Sequence, residues 1–167
     1  MPAPINPILS VITRSDRVES WHRGAIAVVH EGELRVSIGD VESLVYARSA
    51  VKPLQALPFL ERGLAARLGL TSAEIAVMCA SHDGTELHTD TVSTFLGRGG
   101  LSVDDLRCGP HAPFDPASRR ALLARGVRPT KLHNNCSGKH TGFLHLARDC
   151  GDDISRYLEP DSACQRE

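Results

Sequence analysis

The sequence predicts a mixed α/β chain of the α+β kind, from three observations. The first 47 or so residues carry short β-branched and apolar runs split by turn residues. After Pro53 the apolar period lengthens to that of a helix. From there on, capping signals and glycine stops recur along the chain.

Pro2–Pro7 reads as an extended lead-in, and Ile8–Thr13 as a strand. Ala25–His30 and Leu34–Ile38 form a hairpin around Glu31-Gly32-Glu33. Leu44–Ala47 reads as a further short strand running into Arg48-Ser49. Pro53 suits the first helical position, and Leu54, Leu57, Leu60 and Leu64 fall on one face. Pro58 implies a kink or break there. Thr71-Ser72-Ala73-Glu74 is a capping box before Ile75, Val77 and Met78. Ser81–Gly84 is a polar break. Glu86–Leu96 is a helix closed by Gly97-Arg98-Gly99-Gly100, Ser102–Asp105 caps a short turn, and Cys108–Pro116 is a loop. Ala117–Arg125 is a helix stopped by Gly126. Leu132–Gly138 is a polar turn, and Lys139–Asp149 is a helix with Phe143, Leu144, Leu146 and Ala147 towards its buried side. Ile154–Leu158 begins another short helix. No repeat or linker interrupts the chain, so residues 1–167 read as one domain.

Composition excludes several function classes. A hydrophobic fraction of 41% with 23% charged residues suits a globular chain and not a disordered one. A net charge of -1 and 4% aromatic residues supply neither the field nor the stacking surface that nucleic acid needs. No apolar stretch approaches a transmembrane span, so no membrane partner is expected. The start, Met1–Pro7, lacks the pattern of a signal peptide, and cytoplasmic residence is the expectation. Five widely spaced cysteines do not read as a secreted disulfide framework.

Polar chemistry concentrates in four segments at junctions between elements, where sites held by a scaffold lie. The first is Arg48-Ser49-Ala50-Val51-Lys52. A serine hydroxyl is a poor nucleophile unless a base stands beside it. A desolvated lysine can be that base, and Ser-x-x-Lys is one known way to make an acylatable serine. Taken alone, Ser49 reads as no more than the end of a strand. Pro53 disfavours helical backbone at Lys52, so the pair is expected to face across a tight turn. The second segment runs Cys79–Thr89. Its Ser81-His82-Asp83 run is no catalytic triad, because triad members are neighbours in space and not along the chain; Asp83 also reads as a helix cap. The third, Cys108-Gly109-Pro110-His111, reads as a proline-stiffened turn. The fourth, His133-Asn134-Asn135-Cys136-Ser137-Gly138-Lys139-His140, opens a helix whose free N–H groups suit an anion. Cys136 and Lys139 share one helical face, though zinc normally takes cysteines or histidines at that spacing.

In that order and spacing, Arg48-Ser49-x-x-Lys52-Pro53-Leu54-Gln55-Ala56, Ala80-Ser81-His82, Cys108-Gly109-Pro110-His111 and Asn134–His140 resemble the N-terminal half of the asparaginase II family, the rhizobial-type inducible L-asparaginases. The resemblance covers essentially the whole chain. It implies a serine β-lactamase/glutaminase-like fold, apparently truncated, and hydrolysis of L-asparagine to L-aspartate and ammonia. It implies catalytic roles for Ser49, Lys52 and Ser81, and substrate contacts from Arg48, His82 and Asn135. It also implies zinc held by Cys136 and Lys139. Family members are longer, and a further zinc cysteine and a second lysine lie in the part this chain lacks. The resemblance therefore implies a homodimer, or a separate chain supplying the C-terminal half. Three rival readings are an inactive amino-acid-binding remnant, a related serine amidohydrolase such as a glutaminase, and an unstable fragment. No Ser-Asp-Asn or Lys-Thr-Gly segment supports a β-lactamase.

Overall fold

A computed structural model describes residues 6–167, and the lead-in expected at Pro2–Pro7 lies mostly outside the described residues. The chain divides into two compact units, one ending at Tyr46 and the other spanning Ala47–Glu167.

The first unit holds two antiparallel hairpins. Strand β1 (Ile8–Arg14) pairs with β2 (Arg17–Arg23), with Arg14 opposite Arg17 and Ile8 opposite Arg23. Strand β3 (Ile26–His30) pairs with β4 (Glu33–Ile38), as the sequence predicts. Their loop is Glu31-Gly32, with φ of 51° and 76°. Positive φ at both central residues gives a two-residue turn whose twist matches its strands. One strand was not read from the sequence, and one strand expectation needs correction. Strand β2 is poor in apolar residues and escapes the period-2 pattern, yet the turn at Ser15-Asp16 folds it back onto β1. Leu44–Ala47 is not a strand. A strand exists through its ladder, and among the described residues this segment pairs with none.

The second unit is helical and built around one buried helix. Its elements are α1 (Lys52–Gln55), α2 (Leu57–Glu61), α3 (Leu64–Arg67), α4 (Ser72–Cys79), α5 (Glu86–Arg98), α6 (Pro116–Ala124), α7 (Ser137–Asp149) and α8 (Ala163–Arg166). The single helical face expected from Leu54 to Leu64 is split into α1–α3 by Pro58 and by Gly63, whose φ is 69°. The breaks change the phase, so the buried residues are Ala56, Phe59 and Leu64, whereas Leu54 is 64% exposed. The capping box is formed as predicted: Thr71 receives the Glu74 N–H, and Glu74 accepts from the Thr71 N–H. Glu74 is buried and held by Arg98 at 2.8 Å.

Helix α7 is buried on nearly every side, the mark of a central helix. Phe143, Leu144, Leu146 and Ala147 join Phe59, Met78, Val92, Phe95, Leu96 and Leu106 in one core. Its polar side chains are satisfied internally. Thr141 Oγ1 donates to the Ser137 carbonyl at 2.9 Å, and His145 meets the Phe95 carbonyl at 2.9 Å. The Tyr157 hydroxyl accepts from the Arg107 N–H and lies 2.7 Å from His140 Nδ1. Among the described residues no helix is long and apolar enough to cross a membrane.

Helix α7 crosses α4 at closest approach through glycines. A Cβ on Gly138 would run into the Val77 carbonyl, and one on Gly142 into the Met78 side chain. The obstacle at Gly138 is backbone, which cannot swing aside. Gly138→Ala is therefore expected to lower stability by about 1–3 kcal/mol, read as a fall in the urea midpoint. An unchanged midpoint would mean that the two helices have room to part.

Candidate active site

Three segments of the helical unit converge: the turn entering α1, the loop leaving α4, and the turn entering α7. Arg48 opens the first with φ of 50°, a left-handed conformation that is strained for a non-glycine residue. It swings the chain into a 3-10 turn, Arg48–Val51, with Ser49 exposed on it. Lys52 follows in helical backbone, φ -57° and ψ -39°. This corrects the expectation drawn from Pro53. The proline sits in the first turn of α1, where its missing N–H costs nothing, and the side-chain contacts of Lys52 fix the backbone ahead of it.

Lys52 is 2% exposed. Its Nζ lies 2.9 Å from Ser81 Oγ, 3.1 Å from the Ala80 carbonyl and 3.4 Å from the Asn135 carbonyl. Ser81 Oγ in turn lies 3.0 Å from Ser49 Oγ. The side chains thus line up as Lys52–Ser81–Ser49, and Lys52 reaches Ser81 rather than Ser49. A neutral amine has two N–H donors and one lone pair. Here the two carbonyls can take both N–H groups, leaving the lone pair for the Ser81 hydroxyl. The same contacts accept an ammonium, so the site accommodates both protonation states. Hydroxyl protons rotate, and either serine can donate to the other.

His82 lies behind this row and is buried. Its Nδ1 accepts the Gly84 N–H at 3.1 Å, so Nε2 carries the proton and donates to Ser137 Oγ at 2.9 Å. Its backbone N–H donates to the Asn135 carbonyl at 3.2 Å. Both ring nitrogens and the backbone N–H are engaged within the protein, which ties the Ser81 loop to the start of α7. The ring stacks on His88 with centroids 5.0 Å apart. Burial, aided by the nearby His88, pushes the His82 pKa down to about 4.

That shift has a sign. The unfolded chain takes up a proton at His82 near the ordinary value of 6.5, and the folded chain only near 4. The unfolded state therefore gains protons across that window, and stability falls as pH drops from about 6.5 towards about 4. The urea midpoint should decline over that range while an NMR titration of the His82 ring shows it neutral until its lower end. A ring titrating near 6.5 would contradict this.

Asn135 is half-buried. Its N–H donates to His111 Nε2 at 3.0 Å, and its carbonyl serves Lys52 and His82. Cys136 and Lys139 stand at the first turn of α7. Burial lowers the Lys139 pKa, the nearby Lys52 lowers it further, and Cys136 opposes the shift. The Lys139 Nζ lies over the Phe143 ring, 5.4 Å from its centroid. Among the described residues no group of three His, Cys, Asp or Glu side chains is placed to hold a metal ion. Cys136 and Lys139 offer two ligands where zinc takes three or four from protein, so the residues present do not by themselves fit the ion.

Ser49, Lys52, Ser81, His82 and Asn135 are thus brought together, with Arg48 exposed beside them. Sequence reasoning placed His111 and Ser137 in its polar segments but gave neither a role in the site. The placement of His111 between Pro110 and Pro113 was a usable signal, since a proline-stiffened loop fixes whatever side chain it carries. The profile of the family described as L-asparaginase II matches residues 11–167. No curated protein matches the chain significantly.

Proposed function

The chain belongs to the L-asparaginase II family, and from that premise we propose that it releases ammonia from L-asparagine through an acylated Ser49. Family membership supports an asparaginase-like amidohydrolase acting on a small molecule. The observation that carries the residue roles is the row Lys52–Ser81–Ser49 at 2.9 and 3.0 Å.

Ser49 Oγ attacks the side-chain amide carbon as its proton passes to Ser81, whose own proton passes to the Lys52 amine. The C–N bond then breaks, and the departing nitrogen takes a proton back along the same row and leaves as ammonia. Water repeats the sequence on the aspartyl ester, freeing L-aspartate and restoring the Ser49 hydroxyl. Ser81 is a proton carrier in this account, and Lys52 the store for one proton. Arg48, exposed next to Ser49, offers a guanidinium for the substrate α-carboxylate. The Asn135 side-chain amide, whose Oδ1 lies 3.2 Å from His111 Nε2, is assigned to the substrate, whereas His82 positions the Ser81 loop. No step passes through a metal.

The test is ammonia release from asparagine and from glutamine, each beside Ser49→Ala. Release from asparagine that vanishes in the variant supports the reading. Faster release from glutamine would move the substrate to the longer amide, and release that survives in the variant would remove Ser49 from the chemistry.

A further inference from the structure

The Cys108-Gly109-Pro110-His111 loop has no part in the chemistry above, yet it grips the turn that does. Asn134 Nδ2 donates to the Gly109 carbonyl at 2.6 Å, and Asn134 Oδ1 accepts the Cys136 N–H at 2.9 Å. One residue on, the Asn135 N–H donates to His111 Nε2 at 3.0 Å. His111 Nδ1 lies 2.8 Å from the Ala112 carbonyl, which can only accept. The proton is therefore on Nδ1 and the lone pair on Nε2, aimed at the Asn135 N–H. In that tautomer Asn135 Oδ1, 3.2 Å from Nε2, is a neighbour and not an acceptor. The Phe114 ring stacks on His111 with centroids 5.0 Å apart and fixes the plane of the imidazole.

The gripped turn carries the Asn135 carbonyl, which meets both Lys52 Nζ and the His82 N–H. We propose that His111 is a positioning residue: by accepting the Asn135 N–H it holds the Asn135 carbonyl where it orients the Lys52 amine towards Ser81. The inference rests on the reading of Lys52 as the proton store. Without the clamp the turn loses a fixed point on one side, and the lone pair of Lys52 is no longer confined to the Ser81 direction. Small misplacements of a reacting group are costly in rate and cheap in affinity.

Two variants of the full chain test it. His111→Ala removes the acceptor, whereas His111→Gln keeps an acceptor oxygen at similar reach. His111→Ala should lower kcat for asparagine by about 100-fold with KM nearly unchanged, and His111→Gln should recover most of that loss. Amide hydrogen exchange at Asn135 should be fast in His111→Ala and slow in the parent chain and in His111→Gln. A kcat unaffected in His111→Ala, or equal losses in the two variants, would overturn the proposal. If the parent chain releases no ammonia, the asparaginase reading fails instead, and exchange at Asn135 still decides the clamp. Parent-like protection in His111→Ala would refute it.

Discussion

Replacing Lys52 with alanine lowers ammonia release by about 10²–10⁴-fold, the span of general acid–base catalysis, while the chain stays folded. Among the described residues, the amine removed is the one base within hydrogen-bond distance of the serine row. Folding survives because the Asn135 carbonyl keeps the His82 N–H, and the Ala80 carbonyl belongs to an exposed residue open to water. Lys52→Arg separates proton transfer from simple donation. A guanidinium satisfies both carbonyls but stays protonated and cannot accept a proton from Ser81. It should be as inactive as the alanine variant. Substantial turnover in Lys52→Arg would mean that Lys52 contributes charge and not a lone pair.

The two serines are expected to fail differently. Ser49→Ala removes the atom that forms the ester and should abolish turnover. Ser81→Ala breaks the proton path but leaves the nucleophile, so acylation of Ser49 should persist, slower by about 10²–10⁴-fold. Residues acting as one unit are not additive, so the double variant should be no worse than Ser49→Ala alone. The opposite ranking, with Ser81→Ala inactive and Ser49→Ala partly active, would transfer the nucleophile to Ser81, which already lies beside Lys52.

Local signals carried much of the architecture. The Thr71 capping box, the Glu31-Gly32 turn and the apolar run of α7 each depend on neighbours a few residues away, and they formed as read. Where an element depends on its pairing, the pattern fell short: β2 went unread, and Leu44–Ala47 looked like a strand but pairs with none of the described residues. The Leu54–Leu64 stripe failed because Pro58 and Gly63 reset the helical phase. The site follows the same division. Ser49 and Lys52 were legible as a pair three residues apart. That Ser81 stands between them depends on contacts across 29 and 32 residues, which spacing does not encode. The His82 ring shows the same limit, because its engagement with Ser137 spans 55 residues.

The central claim is that Ser49 carries the acyl group. Its most direct test is mass analysis of the chain quenched in acid during turnover of asparagine. The account predicts an aspartyl ester on the peptide containing Ser49, absent from Ser49→Ala and accumulating more slowly in Ser81→Ala. An ester on the peptide containing Ser81, or ammonia released with no ester on either serine at any quench time, would contradict it.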